Sequence, residues 1–183
     1  MVPGFRRDDE SSEVVPDLKR VVALWCPRSP ISHDEMAHVK AAAKLLGVQV
    51  EPLEFEPSPE SWRAALEAAL RQHRPGALFL LDCTNLPVQV IVDTALQYRL
   101  PTMSPYLNAT RQGALVSYGP DWNDMHRRIA PTYVDKILKG ASPADLPVQQ
   151  PTTFDLAVNT TTAKAIQLKI PRAFMVRVNS VIE

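Results

Sequence analysis

The stretch VSYGPDWNDMHRR, residues 116–128, reads as a strand that stops at a glycine and restarts as a helix. Gly113 to Tyr118 is a short apolar run, and Gly119-Pro120 breaks it. Asp121 then stands where a helix N-cap belongs, ahead of an apolar stripe formed by Trp122, Met125, Ile129, Tyr133 and Ile137. Lys139-Gly140 closes that helix as the macrodipole and a C-terminal glycine cap favour. Pro131 lies inside it and removes one backbone hydrogen bond, which predicts a kink. A strand feeding directly into a helix is half of a βα unit, and the sequence on the N-terminal side repeats the pattern.

Val21 to Cys26 is a continuous apolar run cut off by Pro27 and Pro30, as suits a strand buried on both faces. Ser32 or His33 opens a helix with Met36, Val39, Ala43 and Leu46 at helical spacing, and Gly47 sits at its C-terminal cap. Val48 to Phe55 is a second strand. Ser58-Pro59-Glu60-Ser61 supplies a capping serine, a proline at the first helical position and an acid nearby, launching a helix through Leu70. Gly76 to Asp82 is a third strand, followed by the polar turn Cys83 to Pro87 and a helix marked by Val88, Ile91, Val92, Ala95 and Leu96. Pro101 to Ser104 forms a fourth strand, Asn108 to Gln112 one helical turn, and Gly113 to Tyr118 the fifth strand. This alternation calls for an α/β fold: a doubly wound, flavodoxin-like parallel sheet with strand order 2-1-3-4-5 and helices on both faces.

The composition changes beyond Gly140. Residues 141–153, ASPADLPVQQPTT, carry three prolines and read as an extended crossing segment. Phe154 to Asn159 alternates apolar and polar, Thr160 to Leu168 is a short helix, and Ile170 to Phe174 leads to a last helix ending near Ile182. The expected organisation is a flexible lead-in over 1–18, an α/β lobe over 19–140, and a crossover tail over 141–183 that is too small to own a core.

The chain of 183 residues is 45% hydrophobic and 22% charged, enough for one full core. Lysine plus arginine balance aspartate plus glutamate at 20 each, so no basic field invites nucleic acid or an anionic membrane. No apolar window spans a bilayer, and the N-terminal MVPGFRRDDESSEVVPD lacks a signal-peptide core, so the chain as written is expected in the cytoplasm. Cys26 and Cys83 follow neighbouring strands of the expected order and should lie close together as reduced thiols.

Doubly wound sheets bind ligands outside the carboxyl ends of their strands. The residues just past those ends give the candidate contacts Arg28, Ser29, Asp82, Thr84, Asn85, Tyr106, Asn108, Tyr118 and Asp121. Arg28 offers a planar fork for a carboxylate, and Asp82 an anionic partner for an amine. Each also has a plain structural reading: a solvated arginine, aspartate or asparagine closing a turn, tyrosines covering strand ends. The four histidines lack HxxxH spacing, so no metal site is expected, and no cofactor motif occurs. An enzyme is not expected either. No GxSxG, P-loop or GxGxxG is present, and a phosphate-accepting role for Asp82 would require acids after the first strand, where Cys26-Pro27 stands.

The phrases VSYGPD, YVDKILKGASPADLPVQQPTTFDLAVN and the closing IPRAF with VIE resemble the C-terminal part of ABC-transporter substrate-binding proteins of the type I periplasmic binding fold. KRVVALWCP and the helix ending in KLLGVQV are similar to the start of that family's second lobe. The resemblance implies two α/β lobes closing on a small organic solute such as an amino acid, and presentation of the closed form to a membrane permease. Members of that family are periplasmic. The resemblance also implies that the helix from Asp121 and the crossing return the chain to a first lobe, whose sheet Phe154 to Asn159 would extend. A second class of reading is an interaction module that works as a dimer or with a separately encoded lobe. On either reading, Phe154, Leu156 and Val158 need cover, which predicts a homodimer through residues 154–182.

Overall fold

The computed structural model of the chain describes residues 14–54, 62–82 and 86–183. Strands β1 (Arg20–Trp25), β2 (Gln49–Glu54), β3 (Ala77–Leu80), β4 (Thr102–Ser104), β5 (Val116–Pro120), β6 (Phe154–Asn159) and β7 (Ser180–Ile182) form one sheet in the order β2-β1-β3-β4-β5-β6-β7. The first five follow the expected 2-1-3-4-5 order and pair in parallel. Between them run helices α1 (Pro30–Leu46), α2 (Trp62–His73), α3 (Val88–Gln97) and α4 (Leu107–Arg111).

Alternation along the strands divides the core between the two faces of the sheet. Val22 and Leu24 of β1 pack with Leu78 and Leu80 of β3 against Leu66 and Leu70 of α2 and Ile91 and Ala95 of α3. On the other face, Ala23 and Leu81 meet Met36 of α1. The cover on both sides explains why β1 reads as an unbroken apolar run.

Helix α1 starts earlier than its spacing suggested. Ser29 is the N-cap, its hydroxyl accepting from the Ser32 N–H at 3.3 Å, and Pro30 takes the first turn. Gly47 closes it with φ 70°, its N–H bonded to the Ala43 carbonyl. The expected capping sequence Ser58 to Ser61 lies outside the described residues, as does the turn holding Cys83, Thr84 and Asn85.

Strand β5 does not stop at Tyr118. It runs on through Gly119 and Pro120, which pair with Asp155 and Phe154. The Gly-Pro pair is therefore strand, and Gly119 is small for a packing reason: a Cβ there would lie 2.0 Å from the Pro105 carbonyl oxygen. Asp121 caps the next helix, α5 (Trp122–Leu138), by accepting from the N–H groups of Asn123 and Asp124 at 2.9 and 3.0 Å. The helix continues through Pro131, and none of its residues is buried. The apolar stripe read from the sequence thus has no complete cover among the described residues.

The tail also departs from expectation. β6 does not await another sheet; it pairs antiparallel with β5 over Val116 to Pro120, and β7 extends the sheet beyond it. Leu156 and Val158 share a core cluster with Leu115 and Val116, joined by Ala163 and Ile166 of and beside helix α6 (Thr160–Ala165) and by Phe174 of helix α7 (Arg172–Met175). The expected last helix is this single turn, followed by β7. Residues 154–182 are folded back onto their own lobe, so the uncovered face that motivated a dimer through the tail is absent. The lead-in contributes as well, because Val14 is buried in the same cluster.

Residues 141–153, with a 3-10 turn at Pro143–Asp145, return beside α5. The Tyr133 hydroxyl donates to the Pro147 carbonyl, and the Arg128 guanidinium donates to the Thr152 hydroxyl at 2.9 Å. The Asp121 N–H donates to the Thr153 carbonyl at 3.0 Å, where the excursion rejoins the sheet.

Candidate functional site

At the carboxyl end of β3 the chain leaves the sheet in two steps. The Leu81 N–H still bonds to the Leu24 carbonyl at 3.0 Å, but the next N–H, that of Asp82, has left the strand ladder. Its acceptor is the Glu35 carboxylate of α1, at 2.6 Å. The Tyr106 phenol, which follows β4, interacts with the Asp82 side chain, and that interaction helps to keep it protonated. Residues from three separate segments, α1, the end of β3 and the end of β4, thereby meet at one point.

Their ionisation reflects crowding. Burial raises the Glu35 carboxyl above its usual 4.5; the Asp82 N–H opposes that shift and the Asp82 charge adds to it. The Tyr106 phenol is held well above its ordinary value, first by burial, then by its bond to Asp82, then by the Asp82 and Glu35 charges. The phenol therefore stays protonated at neutral pH and can donate a hydrogen bond.

Beside this group lies a half-open cavity of about 350 Å3, within the range of small-ligand sites. Ser104 and Tyr106 line it from β4 and the following loop, Asn108 from α4, and Leu81, Leu86 and Val88 from the β3 side. A second depression of about 400 Å3 lies at the opposite end of the sheet, against Lys19, Arg20 and Arg74. Ligands of doubly wound sheets bind at carboxyl ends, and polar groups converge beside the first cavity, so that one is the candidate.

Of the residues proposed from the sequence, Asp82, Tyr106 and Asn108 gather at or beside this cavity. Thr84 and Asn85 lie outside the described residues. The side chains of Ser29 and Asp121 are engaged as helix caps, and Arg28 is exposed on the β1–α1 turn. Tyr118 is 42% exposed and stacks on Phe154 with ring centroids 5.7 Å apart. Glu35 was missed. Its signal lay in its place within the first turns of the helix that follows β1, because those turns sit at the carboxyl end of the sheet.

The profile of the family described as ABC transporter substrate binding protein matches residues 10–182. The chain belongs to the ABC transporter substrate-binding protein family. Solved structures agree on the fold. A conserved domain protein from Vibrio cholerae superposes with a TM-score of 0.84 at 22% identity, over 93% of this chain and 57% of that one. The ABC domain in complex with L-Trp from Streptococcus pneumonia gives 0.82 at 22% identity, over 96% of this chain and 61% of the other. The ligand-free, open structure of a substrate binding protein with adhesive properties from Clostridium difficile gives 0.70 at 19% identity, over 92% and 56%. This substrate-binding family member therefore spans less than two thirds of the length of these relatives. No curated protein matches the sequence significantly. Among the described residues, no helix is long and apolar enough to cross a membrane.

Proposed function

We propose that this lobe binds a small organic solute of the amino-acid class at the carboxyl ends of β3 and β4, as one half of the solute-binding component of an ABC transporter. The observation that carries the reading is Asp82, held on its backbone by Glu35, next to Leu81 and Tyr106, which line a cavity sized for a small molecule. A fixed carboxylate with a neighbouring hydroxyl suits an ammonium group, and the apolar side of the cavity suits a short side chain. L-Trp bound to the Streptococcus relative supports the solute class. The remaining contacts and the permease-facing surface would come from a second lobe.

Calorimetric titration of the purified chain with each standard L-amino acid, L-tryptophan included, tests the proposal. Saturable heat with at least one of them, with the affinity weakened about a hundredfold but still measurable in Asp82→Ala, is expected. Absence of heat across the whole set would sink the reading.

One observation favours a second reading, an interaction module whose role is to hold another lobe or another copy. Helix α5 exposes Trp122, Val134, Ile137 and Leu138, at 45%, 54%, 42% and 81%. A concentration of large apolar side chains on one helix marks a contact surface.

A further inference from the structure

We infer that Glu35 is a positioning residue of the solute site, acting through the backbone of Asp82; the inference deepens the proposed solute-binding role and rests on it. Ser32 is fully buried, and its hydroxyl accepts the Cys26 N–H at 3.0 Å, which locks the first turn of α1 to the strand it follows. Ser29 caps the same turn. Three residues on from Ser32, Glu35 lies on the same side of the helix, next to the buried Met36 that packs on Ala23 and Leu81. The carboxylate is thus delivered to the carboxyl end of β3 by a helix that cannot slide.

There it accepts the Asp82 N–H, the first amide beyond the strand ladder. Such an amide has no partner from the sheet, and the residue bearing it would otherwise be free to rotate about its backbone. Glu35 fixes the peptide plane, and the Tyr106 phenol stands beside the carboxylate. A backbone held in this way limits where the Asp82 side chain can point beside the cavity, which is what pre-organisation of a binding group requires. Burial raises the Glu35 carboxyl, the bond from the Asp82 N–H opposes that shift, and the Asp82 charge adds to it, so the backbone bond is what favours the charged form of Glu35 here.

A merely structural Glu35 would satisfy an amide and nothing more. The two roles separate in a comparison of Glu35→Ala, Glu35→Gln, Asp82→Ala and the double variant Glu35→Ala/Asp82→Ala in the full chain. Amide hydrogen exchange is read at Leu80, Leu81 and Asp82, and affinity for the L-amino acids that bind the wild type is read by calorimetry. In Glu35→Ala the Asp82 amide should exchange at least about tenfold faster while Leu80 and Leu81 are unchanged, and affinity should fall by about tenfold. Glutamine, whose side-chain oxygen accepts the same bond, should restore both. Added to Asp82→Ala, Glu35→Ala should cost nothing further in affinity, because the group it positions is gone.

Unchanged Asp82 exchange in Glu35→Ala, or affinity losses that add in the double variant, would overturn the inference. If no amino acid binds the wild type but the exchange pattern holds, the solute class is wrong and Glu35 still sets Asp82. If binding is present and indifferent to Glu35, the site stands and the positioning role falls.

Discussion

A side chain cannot be placed at Gly119. Its Cβ would sit 2.0 Å from the Pro105 carbonyl oxygen and 3.0 Å from the Pro105 carbonyl carbon, and both belong to backbone. Backbone yields only by moving β4 away from β5, at the very end of the sheet where Tyr106 begins. Gly119→Ala should therefore destabilise the chain by about 3 kcal/mol or more, as overpacking of a closed site does. Urea unfolding followed by circular dichroism measures it, and a loss under about 1 kcal/mol would mean that the strands have room to spare. In the sequence this glycine looked like punctuation, since a Gly-Pro pair breaks a strand far more often than it continues one. What distinguishes the two cases is a neighbour fifteen or so positions away, which local pattern does not encode. The candidate site divides in the same way. Asp82, Tyr106 and Asn108 were legible because a sheet of this order places ligand groups just past its strand ends. Ser29 and Asp121 satisfied that same rule, yet both hydrogen-bond the first turns of their own helices, a competing role that the same residue types fill. Glu35 was invisible because a single glutamate in a helix reads as a solvated residue until the strand end beneath it is known.

Among the elements, the five parallel strands and their helices were readable from apolar runs and caps. β6 was readable as a strand but not as the partner of β5. Alternation gives a strand's faces, whereas its neighbour is chosen by long-range pairing, and an antiparallel addition to a parallel sheet leaves no local mark. The tail's commitment to this core can be measured at Phe174, which is 1% exposed and packs in the cluster with Leu115, Val116, Leu156 and Val158. Phe174→Ala should cost about 3–5 kcal/mol, the usual range for an aromatic removed from a closed core. Thermal and urea unfolding would report it. A loss near zero would mean that the tail lies off the lobe, as the crossing segment alone had suggested. β7, three residues long, was read as helix because Ile170 to Phe174 does start one; the helix then ends at Met175.

At the scale of the molecule, α5 half-buries Met125, Ile129 and Tyr133 but buries no residue fully. Val134 and Leu138 on α5 are 54% and 81% exposed, so lysine at both positions should leave the melting temperature of the chain unchanged within the scatter of surface substitutions. If α5 is a contact surface between copies, sedimentation at micromolar concentration should show association of the wild type and monomers of the Val134→Lys/Leu138→Lys variant. Monomers in both would rule α5 out as a contact between copies, and a marked drop in melting temperature would show that the helix packs on its own chain after all. The way this helix is attached has a consequence of another kind. The chain departs at Pro120 and returns at Phe154, which are partners in register, and the Asp121 N–H meets the Thr153 carbonyl directly beside them. Everything between is therefore suspended from a hairpin, not threaded through the fold. The lobe owns a port: a place where sequence can be exchanged for a tight turn or for a foreign domain without altering the order of a single strand.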